Sequence, residues 1–370
     1  GGGPRAPPPP VASHGPSLAI DPATSAGSPG ADAFEATASQ EKEGVVGAGP
    51  WRIAMRRLRR DRVSLAFGAL FLLIVAISLF APVWSHDVAH TSASTNHLSD
   101  QITLDHKKTY VVSSPTSANP GIPIGPTFGA KFFLGADTSG RDVMVRLLYG
   151  ARTSFEIGFA AAAFTLSFSV ILGLLSGYLR GWVDAIISRA LDVIWAYPVV
   201  LLGVALGTSL ALGGLEIGPI KVESGSLLVP IFVIGVVYVP YMARPLRGRV
   251  LSLREKEFVD AARAQGAGPF RIMFSELLPN LTTDIVVFFP LIVANAVLLE
   301  AALSFLGAGV QPPKPSLGTM IADGTGNIFN AVHLVLVPGL VLVVAVLALN
   351  VFGDGVRDAL DPRARVRIER

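Results

Sequence analysis

Leu253-Arg-Glu-Lys-Glu-Phe-Val-Asp260-Ala261-Ala262-Arg-Ala-Gln-Gly266, continuing Ala-Gly-Pro-Phe-Arg-Ile-Met-Phe-Ser-Glu-Leu-Leu278-Pro279-Asn280, is a polar interruption between two long apolar runs. Residues 254–265 suit a short helix, and the alanines at 261, 262 and 264 leave room for a partner to come close. Gly266 and the pair Gly268-Pro269 end that helix and turn the chain. Beyond the turn, Phe270, Met273, Phe274 and Leu277 recur at helical spacing and predict a second short helix. Two short helices at a turn make a rigid knob. A knob set between membrane-length apolar runs has an obvious use, which is to be held by something soluble.

Apolar material dominates the rest. Of 370 residues, 51% are hydrophobic and 15% charged, and the mean hydropathy is +0.54. An average soluble domain carries roughly 25% charged residues, so too few remain here to cover a water-soluble globule. This arithmetic argues against a soluble enzyme. The absence of cysteine removes disulfides, thiolate nucleophiles and cysteine metal sites together. A formal net charge of +3 is small, and with most of the chain in lipid it gives no support to a nucleic-acid partner.

Six stretches span or nearly span a bilayer core of about 30 Å, which takes ~20 helical residues. They are Ser64–Trp84, Ile157–Leu179, Val193–Leu215, Ser224–Ala243, Ile285–Val310 and Leu334–Gly353, and Glu300 is the one charge in any of them. The runs are continuously apolar rather than alternating, so they read as helices and not as strands of a barrel. Pro198, Pro230, Pro240, Pro290 and Pro338 fall inside them and predict kinked or broken helices.

Arginines set the expected orientation. Arg52, Arg56, Arg57, Arg59, Arg60 and Arg62 precede the first span; Arg180 and Arg189 follow the second; Arg244, Arg247, Arg249, Arg254, Lys256, Arg263 and Arg271 surround the knob. Arg357, Arg363, Arg365, Arg367 and Arg370 follow the sixth, whereas the short loops on the other side hold only Lys221 and Lys314. Both termini and the knob are therefore expected in the cytoplasm. The expected organisation is a disordered Gly/Pro-rich tail at 1–50 and a basic flank with the first span at 51–84. An external segment at 85–153, a five-helix core at 154–353 and a C-terminal tail at 354–370 complete it. Within the external segment, Gly140–Arg152 reads as an amphipathic helix at the outer membrane surface or as a contact for an external protein.

The knob resembles the "EAA" coupling loop of ATP-binding-cassette importer permeases: Glu-Ala-Ala, three residues, Gly, nine residues, Ile, one residue, Leu-Pro. Asp260, Ala261, Ala262, Gly266, Leu278 and Pro279 stand at the matching positions, while Asp260 replaces Glu and Glu276 stands where Ile is usual. Three further segments resemble the second permease of the dipeptide, oligopeptide and nickel branch. These are Leu134-Gly-Ala-Asp-Thr-Ser-Gly-Arg-Asp142 with Arg146–Arg152, the run Leu299–Pro313, and the tail Gly353–Pro362. Ala136 stands for the usual Thr, and Leu317 stands where Trp is common. The resemblance implies an all-α membrane protein with six transmembrane helices, the MetI-like importer-permease fold, in a bacterial inner membrane. It implies a homologous second permease, two ATP-binding subunits that carry ATP and Mg, an external solute-binding protein and surrounding lipid as partners.

The residues agree with that division of labour. There is no Gly-Lys dipeptide, hence no Walker-type phosphate loop, and no Leu-Ser-Gly-Gly-Gln segment. No catalytic residue, bound cofactor or metal ligand is expected. His86, His90, His97 and His106 read as solvated loop histidines rather than metal ligands, with no helical pattern around His86 and His90. Glu300 has two readings, a residue of the translocation path or a hydrogen-bonded structural carboxyl in the bundle. The same permease role in a nickel or glutathione importer is the neighbouring alternative. An ion-coupled secondary carrier, which would need paired intramembrane charges and internal repeats, is the alternative from another class.

Overall fold

The computed structural model describes residues 50–104, 106–113, 121–213, 215–217, 220–223 and 225–361. The expected disordered tail, the side chain of Lys221 and the arginines at 363, 365, 367 and 370 lie outside the described residues. Helix α1 (Pro50–Leu58) leads to Asp61, whose carboxylate accepts hydrogen bonds from the backbone N–H groups of Val63 and Ser64 at 3.1 and 3.2 Å. This N-cap opens α2 (Arg62–Val88). After a hairpin of β1 (Gln101–Leu104) and β2 (Lys107–Tyr110), α3 runs from Val143 to Leu179. There follow α4 (Gly181–Trp195), α5 (Val199–Gly213), the short pair β3 (Leu215–Ile217) and β4 (Ile220–Val222), and α6 (Leu228–Arg254). The chain closes with α7 (Glu257–Ala264), α8 (Pro269–Phe305), α9 (Leu317–Thr325) and α10 (His333–Leu360).

Five of these helices are long and apolar enough to cross a bilayer, and α4 with α5 gives a sixth crossing if the bent pair is counted as one. The expected span Val193–Leu215 is not one rod: α4 and α5 meet at 89° across Ala196-Tyr197-Pro198. Pro198 has no N–H to give, and its ring pushes the preceding residue out of the helical region. Helix α3, 37 residues long, begins at Val143 rather than at Ile157. Residues 143–152 are therefore its first turns, with Val143, Val145, Leu147, Leu148 and Ala151 buried, and not a separate helix on a membrane surface. A length of about 55 Å at 1.5 Å per residue carries α3 well past a ~30 Å core.

Helix α3 lies along α6 in the same direction. Thr165 donates to the carbonyl of Gly235 at 3.0 Å and Ser169 to that of Val239 at 3.1 Å. Further along, a Cβ on Gly173 would stand 3.1 Å from Leu246 Cβ, and one on Gly177 would stand 2.7 Å from Val250 Cβ. Small residues and interhelical hydroxyl bonds are how helices approach closely where lipid removes the hydrophobic incentive to associate. Because α3 and α6 are parallel, the chain between them must recross, and α4–α5 does so. Helix α8 returns against both: Tyr238 and Arg249 of α6 bond the Asn295 carbonyl and Asp284, and Gly158 of α3 packs on Val297. Helix α1 meets the end of α10, where the guanidinium of Arg57 donates to the Asp361 carbonyl at 3.1 Å, and Ser64 near the start of α2 packs on Gly355 of α10. The knob, α1 and the end of α10 thus share one face, and the described residues between 121 and 142, with α9, occupy the other.

That second face holds a small apolar cluster of its own, formed by Val111, Val112, Ile124, Phe132 and Ala136. Asp142 fastens it to the bundle: one carboxylate oxygen accepts from Phe132 N at 2.6 Å and the other caps α3 through Val145 N at 3.1 Å. Burial pushes the Asp142 carboxyl up from the ordinary aspartate value, and the same N–H groups oppose the shift.

Candidate functional site: the 253–280 knob and Glu300

The knob is built on α7. Val259 and Ala262 turn inward and join Leu174, Val250, Leu253, Ile272, Met273, Leu277 and Leu281 in one buried cluster. This core ties α7 to the ends of α3 and α6 and to the start of α8. The helix stops in a Schellman motif: Ala267 N donates to the Ala262 carbonyl at 3.0 Å and Gly266 N to the Arg263 carbonyl at 2.9 Å. Gly266 sits at φ +79° with no heavy atom within 4 Å of a would-be Cβ, so backbone conformation alone demands glycine there.

The expected second short helix is the beginning of α8, entered through a widened turn at Ile272–Leu277. The four apolar residues predicted on one face divide. Met273 and Leu277 are buried, while Phe270 and Phe274 are 71% and 53% exposed. The six motif residues also divide. Asp260, Ala261, Gly266 and Pro279 are on the surface, Ala262 is inside the knob and Leu278 is half-buried. Ala262 therefore serves the knob's own packing rather than a partner's approach. Asp260 pairs with Arg263 at 2.9 Å on the outer side of α7, and Arg263 and Arg254 both lie over the ring of Tyr178.

Glu300 lies far along α8 from the knob and is fully buried. Its Oε1 accepts from the Ser304 hydroxyl at 2.6 Å, and Ser304 Oγ accepts in turn from Val310 N at 2.9 Å. Ser154 of α3 and Ser316 at the start of α9, both buried, are the other hydroxyls facing this carboxyl. Each already accepts a backbone N–H, from Leu317 and Thr319 respectively, which leaves its proton free to point at Glu300. Oε2 has no partner within hydrogen-bond distance among the described residues. The carboxyl thus stands where α3, α8 and α9 converge.

A second polar assembly was not foreseen from sequence. Arg141 pairs with Asp137 at 2.6 Å and Asp323 at 3.0 Å, and Arg146 pairs with the same two carboxylates at 3.3 and 3.1 Å. The segment before α3 is thereby clamped to α9. Sequence separations of 182 and 177 residues leave no local signal for these pairs. His86 lies in the widened last turn of α2, contrary to the expectation of no helix there, and bonds Asp87 next to it. Among the described residues no group of three or more His, Asp or Glu side chains is arranged to hold a metal ion.

With this geometry, the chain matches two family models. Residues 169–366 match the binding-protein-dependent transport system inner membrane component, and residues 49–100 match the N-terminal transmembrane domain of oligopeptide transport permease C. The chain belongs to this family of importer permeases, and its fold is the MetI-like permease fold in a multi-pass membrane protein. Among its relatives, the dipeptide transport system permease protein DppC of Alkalihalophilus pseudofirmus is 36% identical over 85% of this chain and 91% of that one. The glutathione transport system permease protein GsiD of Pectobacterium atrosepticum is 32% identical over 85% and 92%. The MetNI methionine ABC transporter in an inward-facing state is similar at TM-score 0.49 and 21% identity, over 59% of this chain and 97% of that one.

Proposed function

We propose that this chain is the transmembrane permease subunit of an ATP-driven bacterial importer of dipeptides or oligopeptides. It contributes to the translocation path and takes its driving force from ATPase subunits through the 253–280 knob. The relatives named for dipeptide and glutathione transport support a substrate with a peptide backbone, glutathione itself being a tripeptide. A homologous second permease, two ATP-binding subunits that hold ATP and Mg, and an external solute-binding protein complete the machine. The basic residues around α1, around the knob and at the end of α10 favour a cytoplasmic position for both termini.

The observation that carries the reading is the pair Phe270 and Phe274, projecting from a knob whose own core is already complete. Large exposed aromatics on a rigid base are the usual anchors of a protein interface. Asp260, Ala261, Gly266 and Pro279 are exposed on the same knob, while Ala262 and Leu278 belong to its core. A push on the knob reaches α3, α6 and α8 together through the shared core. Phe270→Ala with Phe274→Ala should leave the permease in the membrane and reduce co-purified ATPase subunit at least tenfold. Undiminished co-purification would remove the knob from the interface.

A further inference from the structure

Two of the sequence motifs left without a role by coupling meet at one place. The segment before α3 and the run that follows α8 line a cavity of about 250 Å3 on the face opposite the knob. Its polar wall consists of Arg141, Arg146, Gln311, Lys314, Thr319 and Asp323. Counting Asp137 behind it, three cations (Arg141, Arg146, Lys314) face two carboxylates (Asp137, Asp323), which leaves one positive charge in excess. Lys314 supplies that excess: it is exposed and forms no ion pair among the described residues. The two arginines are held rigidly by the paired aspartates, and Gln311 is held by bonds from its amide to the carbonyls of Gly307 and Gly309, both at 3.1 Å. Ser304, on the same wall, is the residue that bonds buried Glu300.

We infer that this cavity receives the C-terminal carboxylate of a short peptide, with Lys314 as its principal counter-charge. A preorganised cationic wall with one unmatched ammonium fits a single anion, since charge-assisted hydrogen bonds to a carboxylate are the strong ones. The volume is below the ~300 Å3 at which ligand pockets begin, so it suits one end of a peptide rather than a whole one. The inference rests on the peptide reading above, under which this face is where substrate arrives.

The test uses the complete importer in proteoliposomes, with trialanine and trialanine amide as probes. The solute-binding protein discriminates equally in every permease variant, so a change in the free-acid to amide uptake ratio reports on the permease. Lys314→Gln should lower that ratio roughly tenfold, about the worth of one charge-assisted hydrogen bond, and Lys314→Arg should keep it within about twofold. An unchanged ratio in Lys314→Gln overturns the inference, as does weakened docking of the binding protein with the ratio intact. Absence of ATP-dependent uptake of either probe by the unsubstituted importer overturns the peptide reading itself, and this inference with it.

Discussion

At the scale of single residues, Glu300 poses the sharpest physical problem. A carboxyl in a membrane span costs ~2.5–3.5 kcal/mol on insertion scales unless something compensates. Here Ser304, Ser154 and Ser316 gather around it from α8, α3 and the start of α9. That arrangement favours the structural reading over a path-lining one, because the side chain is fully enclosed. Glu300→Gln retains an acceptor for the Ser304 hydroxyl, and Glu300→Leu does not. A buried hydroxyl left without an acceptor costs about 1–3 kcal/mol. The leucine variant should therefore melt several degrees lower in detergent than the glutamine variant, as followed by loss of monodisperse protein on heating. Equal melting of the two would remove the structural role. Asp142 is a comparable case outside the spans. Asn there keeps one of its two acceptor sites, so Asp142→Asn should loosen residues 121–142 and speed their cleavage in limited proteolysis.

At the scale of elements, the contact between α3 and α6 is the most extensive in the bundle. Gly177→Leu would drive a side chain into Val250, whose Cβ lies 2.7 Å from the would-be Cβ, with typical overpacking costs of 1–3 kcal/mol or more. Recovery of folded protein after solubilisation should fall sharply, whereas Gly248→Leu on the open side of α6 should be tolerated. How far such elements are legible in sequence depends on what each one obeys. The apolar cores of α2, α3, α6, α8 and α10 follow from hydropathy, because the bilayer demands it. Their ends do not: α8 begins at Pro269 and α6 runs to Arg254, since amphipathic turns continue the helix where hydropathy stops. Pro198 announced a break but not its 89° angle. Gly266 was readable as the end of a helix because helix termination is local chemistry. The separation of Phe270 and Phe274 from Met273 and Leu277 was not, because it depends on a widened turn and on which side α7 covers. The clamp of Arg141 and Arg146 on Asp323 is a tertiary fact with no local trace.

At the scale of the molecule, the bundle puts the knob, α1 and the end of α10 on one face, with Lys314 and the Asp142-anchored segment on the other. The absence of cysteine makes the placement of these faces easy to check. A membrane-impermeant thiol reagent applied to intact cells should label Lys314→Cys and leave Ser252→Cys unlabelled until the membrane is opened. The reverse pattern would invert the protein. Ser316, which also lies on the Lys314 face, is unsuitable for this purpose because it is buried as the N-cap of α9.

Under the proposed role, the knob transmits the work of ATP hydrolysis to the helices, and Gly266→Val should interrupt that transmission. A β-branched residue at φ +79° costs about 1–3 kcal/mol of local strain. No heavy atom lies within 4 Å of its Cβ position, so the spans and their insertion should be unaffected. The measurement is ATP hydrolysis by the purified importer with and without peptide-loaded binding protein. A Gly266→Val permease should reach the membrane in normal amount, retain its ATPase subunits weakly and show no peptide-stimulated hydrolysis. A Gly266→Val importer with its ATPase subunits firmly bound and its full peptide-stimulated rate would contradict that role.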